Sequence, residues 1–245
     1  MQFVLINLTH IWGKFLTIDE IMLLTRINRE SRNLMMDGEF VIEFFEDKDI
    51  KIKNILNSVK MLNWLENKNY KVSLKTLNEA VNIDVLNDLI ERGIYPEYST
   101  LISAVECGHL EKIKWLVGID NFESRLYENE DVDTIKRCHE ELCAEAALGG
   151  HLEILKLFRE KNYEWNHDVC SYAALNGHIE ILEWARKQGC EWDSVSCSCA
   201  AMHGHLEVLK WAYEHGCEYD IDKIYENAEE NGHIKILDWI DEISI

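Results

Sequence analysis

Two segments of helical character each place a cysteine and a histidine four residues apart, His139 with Cys143 and Cys199 with His203, and His205 follows close behind the second pair. A four-residue step on a helix brings both side chains to one face. A thiolate beside an imidazole base could act as a nucleophile if a third group oriented the base, and converging Cys and His side chains could ligate zinc. Against both chemistries, Cys143, Cys170 and Cys197 recur every 27 residues, as small packing residues of a repeated element would. No Cys–His arrangement stands apart from that repeat, and the chain has no glycine loop of the kind that cradles phosphate. The expectation is therefore a protein without catalytic residues, metal or cofactor, with an enzyme built on Cys199 and His203 as the weakest reading.

The elements that carry these residues are copies of one unit. CSYAALNGHIEILEWARKQGCEWDSVS, beginning at Cys170, is followed directly by CSCAAMHGHLEVLKWAYEHGCEYDIDK. Each copy has a short Ala-rich segment ending at Gly-His, an amphipathic segment closed by a second glycine, and an aromatic-acidic turn. Self-similarity at this period predicts stacked helix-turn-helix units. Gly-His recurs at 108, 150, 177, 204 and 232, so the first interval exceeds the 27-residue unit by 15 and places an acidic insertion at about 119–133. Insertions of this kind fall in loops on one face of an array, often the binding face, although a solvated acidic loop is the commoner explanation. Two degenerate units precede Gly108. The last unit carries Glu226, Glu229 and Glu230 where earlier copies have small or apolar residues, as a capping unit requires.

Trp64, Trp115, Trp184, Trp211 and Trp239 occupy one equivalent position in the second helices. The column reads as inter-unit core, each burial stabilising by roughly 1.5–3 kcal/mol. The paired alanines at 146–147, 173–174 and 200–201 would let the first helices approach closely.

Lys and Arg total 25 against 45 Asp and Glu, a formal net charge of -20. Such a chain repels phosphate backbones, so nucleic acid and anionic membrane are poor partners and proteins with basic surface are good ones. No apolar run reaches the roughly 18 residues of a spanning helix, and the N-terminus lacks the features of a secretory leader. The expectation is an intracellular protein, cytoplasmic or nuclear, with its eight cysteines reduced.

AALNGHIEILEWARKQG and AAMHGHLEVLKWAYEHG resemble the helix turn and following helix of ankyrin repeats over roughly residues 51–245. The resemblance implies an all-α fold, an α-solenoid of about seven short ankyrin-like repeats preceded by an N-terminal helical segment. The chain departs from the family in lacking the Thr-Pro-Leu-His opening, where Asp168-Val169-Cys170-Ser171 stands, and in a unit of 27 residues instead of 33. The missing residues should come from the hairpin finger, leaving a tight turn such as Cys190–Asp193. Short units with this turn are similar to arrays encoded by large DNA viruses of protists.

By the same resemblance, partners bind the exposed edge of the first helices and the adjoining turns. The matching positions are Glu106, Cys107, Glu145, Leu148, Tyr172, Leu175, Asn176, Cys199, Met202 and His203. Trp165, Trp192 and Tyr219 form an aromatic row on the turns, either interface anchors or packing beneath the next turn.

Residues 1–50 lack the repeat, and FLTIDEIMLLTRINRESRNLM resembles an F-box. Val4-Leu5 replaces the expected Leu-Pro and Ser31 the aromatic residue before the basic tail. The resemblance implies that Leu16, Ile21, Leu24 and Ile27 contact the small adaptor subunit of a ubiquitin ligase while the array presents a substrate. The alternative is a binding array alone, with residues 1–50 capping its first unit.

Overall fold

The computed structural model describes residues 58–67 and 71–243. Among them every regular element is an α-helix, and none is long and apolar enough to cross a membrane. The described residues up to Thr100 and those from Leu101 onward form two compact units. The candidate adaptor-binding residues Leu16, Ile21, Leu24 and Ile27 lie outside the described residues.

In the first unit, α1 (Val59–Asn67) packs against α3 (Ile83–Glu91), with α2 (Leu74–Glu79) between them in sequence. Arg92, just past the end of α3, holds the pair together. It donates to Asp88 at 2.6 Å and to Asn63 of α1 at 2.5 Å, and it pairs with Glu66. Leu62, Leu77, Val85, Leu86 and Leu89 are fully buried. A further helix, α4 (Tyr98–Glu106), leads out of this unit.

From Leu101 onward the helices come in antiparallel pairs joined by Gly-His turns. After α5 (Leu110–Gly118) and the short α6 (Phe122–Leu126) come α7 (Val132–Leu148) with α8 (Leu152–Glu160), and α9 (Asp168–Leu175) with α10 (Ile179–Lys187). Two more pairs follow, α11 (Ser194–Met202) with α12 (Leu206–Glu214) and α13 (Ile221–Glu230) with α14 (Ile234–Ile243). Each second helix packs on its own first helix, and the first helices α7, α9, α11 and α13 pack side by side in succession. Small residues allow this approach. Ala146, Ala147, Ala173, Ala174, Ala200 and Ala201 are buried, and the hydroxyls of Ser171 and Ser196 meet across α9 and α11 at 3.2 Å.

Between pairs the chain makes a short turn with no strand. Asp193 and Asp220 end two of these turns as helix N-caps, accepting from the backbone N–H of Val195 and Lys223, which satisfies donors that the first helical turn would leave unpaired. The second helices close at left-handed residues, Gly189 and Gly216, and at Asn162 in the equivalent position with φ 62°. Asparagine tolerates that conformation better than other side chains, so the glycine signal is absent there while the geometry persists.

Two expectations change at this level. The acidic insertion is exposed at most of its positions, but it is not all loop: it contains α6, with Phe122 only 4% exposed. Trp115, Trp184, Trp211 and Trp239 of the second helices are half-buried, and the deep core is Ile154, Leu155 and Phe158 in α8, Ile181, Leu182 and Ala185 in α10, and Val208, Leu209 and Ala212 in α12. Indole is wide enough to reach the rim of the helix face, where it meets the turns.

Candidate partner-binding surface

The first-helix edge is built by the Gly-His turns. In four of them, those of His151, His178, His205 and His233, the histidine ring reaches back to a carbonyl at the end of the preceding first helix. His178 bonds Leu148 at 3.1 Å and His233 bonds Met202 at 2.9 Å, while His205 bonds the Leu175 carbonyl and His151 approaches that of Glu106 at 3.5 Å. Since the acceptor is a carbonyl, Nε2 carries the proton. Burial, opposed by the bond to Leu175, holds His205 below the usual imidazole range. Asn176 also donates to the Leu148 carbonyl, at 2.8 Å.

The backbone oxygens of Leu148, Leu175 and Met202 are thus used inside the array, and what remains for a partner at this edge is side chains. Tyr172 is 37% exposed and Met202 42% exposed, and Glu106, Cys107, Asn176 and His203 are also on the surface. Leu148, Leu175, Cys199 and Glu145 are half-buried. The Glu145 carboxyl is raised above its ordinary range by burial and then by neighbouring Glu106 and Glu141, so negative charge concentrates at one end of the edge.

The two Cys–His pairs do not form thiol–imidazole contacts of the kind that spacing alone suggested. His203 Nδ1 donates to the Cys199 carbonyl at 3.3 Å, and burial raises the Cys199 thiol. His139 stacks on Tyr163 at 4.1 Å, and burial pushes the Cys143 thiol up to about 12. Cys170 meets Cys190 and Cys197 meets Cys217, and the thiols of Cys170 and Cys197 are both raised by that thiol–thiol bond and by burial. Thiols in this state are poor nucleophiles. Among the described residues no group of three or more His, Cys, Asp or Glu side chains could hold a metal ion.

The aromatic turns pack under their neighbours while keeping an exposed rim. Trp165 lies edge-on to Trp184 and Trp192 edge-on to Trp211, each at 5.5 Å between ring centroids. Arg159 sits 4.4 Å over the Trp165 ring and Arg186 4.6 Å over Trp192. Both arginines also donate to a turn carbonyl, Arg159 to Tyr163 at 2.6 Å and Arg186 to Cys190. Tyr219, 43% exposed, is tilted against Tyr213 at 5.4 Å.

One cluster escaped the sequence. The Tyr163 hydroxyl donates to Glu123 of α6 at 2.9 Å, Tyr163 stacks on Phe158 at 4.8 Å, and Tyr127 meets His139 edge-on at 5.6 Å. These contacts hold the insertion against α7 and α8. The available signal was Tyr163 itself, an aromatic residue where the later units have Cys190 and Cys217. Comparison with protein-family models finds no match, and comparison with curated proteins finds none either.

Proposed function

We propose that the chain is a non-enzymatic interaction protein, an ankyrin-like array whose first-helix edge holds a partner protein with a basic surface. The observation that carries this reading is the edge itself, where the backbone is satisfied internally while Tyr172 and Met202 stay on the surface. Exposed aromatic and thioether side chains on a rigid frame anchor interfaces at small entropic cost. The net charge of -20 and the Glu106–Glu141–Glu145 group favour a basic partner and an association that weakens with salt. Protein captured from cells by the wild type and by a Tyr172→Ala, Met202→Ala variant should differ by at least tenfold in a specific partner, with unfolding midpoints nearly unchanged. Equal capture by both would remove the edge from the interface.

The order of segments, an F-box-like stretch followed by the array, favours a further role as substrate-recognition adaptor of a ubiquitin ligase. A Leu16→Asp, Ile27→Asp variant should lose co-purification of the ligase's small adaptor subunit while remaining folded. Undiminished co-purification would reject docking through this segment, and a lower array melting temperature on deleting residues 1–50 would favour the capping role.

A further inference from the structure

Position 159 and its repeat equivalents 186 and 213 meet turn position 165 and its equivalents 192 and 219. In the first two instances the pair is an arginine over a tryptophan face, the chain's own cation on its own aromatic ring. In the third, the arginine is replaced by Tyr213 and the tryptophan by Tyr219. Tyr213 stands between Tyr219 at 5.4 Å and Trp239 at 5.7 Å, edge-on to the latter. Tyr213 is 40% exposed and Tyr219 43% exposed, and the three rings border a shallow cleft with Ile221 and Ile243. We propose that Tyr213, Tyr219 and Trp239 form a seat for an arginine or lysine side chain of a basic partner segment, supplying from outside the cation that Arg159 and Arg186 supply within.

Aromatic faces carry negative potential and attract cations most strongly when several rings converge. The surrounding charge acts in the same direction. Residues 213–243 hold ten carboxylates against two lysines, and one of these, Lys223, is paired with Glu226 at 2.7 Å. A cation approaching this end of the array is therefore drawn in before it touches a ring. The seat rests on the reading of the chain as a protein-binding array and adds the chemistry that one end of it recognises.

The test uses the full chain, nitrogen-15 labelled, and a peptide acetyl-GSRGRSG-amide beside a counterpart with citrulline in place of arginine. The expected result is a saturable shift of the Trp239 indole N–H with the arginine peptide, at least tenfold weaker with citrulline, and no comparable movement of the Trp184 and Trp211 indoles. Tyr213→Arg, which restores the pattern of the earlier units, should weaken binding at least tenfold while leaving those two indole signals in place. Tyr219→Leu, keeping apolar bulk without a ring, should weaken it as well. Equal shifts with citrulline, shifts spread over all indoles, or undiminished binding in Tyr213→Arg would each overturn the seat. The first-helix edge is read separately through Tyr172 and Met202, so this titration can fail while the proposed function stands.

Discussion

Gly177→Ala is expected to lower stability by about 2–4 kcal/mol, whereas Gly189→Ala should cost only about 1–2 kcal/mol. Both glycines have positive φ, 76° and 80°, so the backbone strain of an alanine is shared. They differ in what the new methyl would meet. At Gly177 a Cβ would lie 2.6 Å from Nδ1 of His205, while at Gly189 nothing stands within 4 Å. The His205 ring cannot move aside without losing its bond to the Leu175 carbonyl, which would leave a polar group poorly satisfied at the seam between two units. Urea denaturation of both variants checks this. Equal losses would mean that the close approach of glycine and imidazole contributes nothing beyond the turn.

Phe158→Ala should be the most damaging single truncation, at about 3–5 kcal/mol. Phe158 is fully buried and continues a run of rings through Tyr163 and His139 to Tyr127. Its loss opens a cavity under Tyr163, whose hydroxyl ties Glu123 of α6 to the array. Alongside the shift in denaturation midpoint, amide hydrogens of α6 should exchange faster in this variant than in one truncated at half-buried Trp184. Unchanged exchange in α6 would show that the insertion is held by Phe122 alone.

Both predictions bear on what sequence could convey. The period of 27 and the Ala-Ala and Gly-His pairs were enough to place the helices, because small residues and turn residues act locally and recur with the unit. A degenerate unit upstream of Gly108 is present as the helices α2 and α3. The tryptophan column was legible as a column but not as half-buried, since periodicity gives a direction around the helix and not a depth. Trp165 and Trp192 were legible as a row, while their arginine lids were not, because only the fold of the turn brings each ring beneath Arg159 or Arg186. The insertion was legible only in part. Most of its acidic side chains do face solvent, whereas the burial of Phe122 and the contacts of His139 with Tyr127 and Tyr163 were hidden, because such a match between distant segments has no local signature.

The histidine bonds described above also set the grammar of the chain's length. Each unit offers its successor a glycine notch and an open carbonyl, as Gly150 and Leu148 do for His178, and presents to its predecessor an imidazole that fits the same kind of notch. Plug and socket are matched to each other and not to any particular neighbour. A block from Cys170 to Ser196 could be copied in place and would find both of its joints already made, so an array of this kind can lengthen or shorten in steps of one unit without inventing a contact.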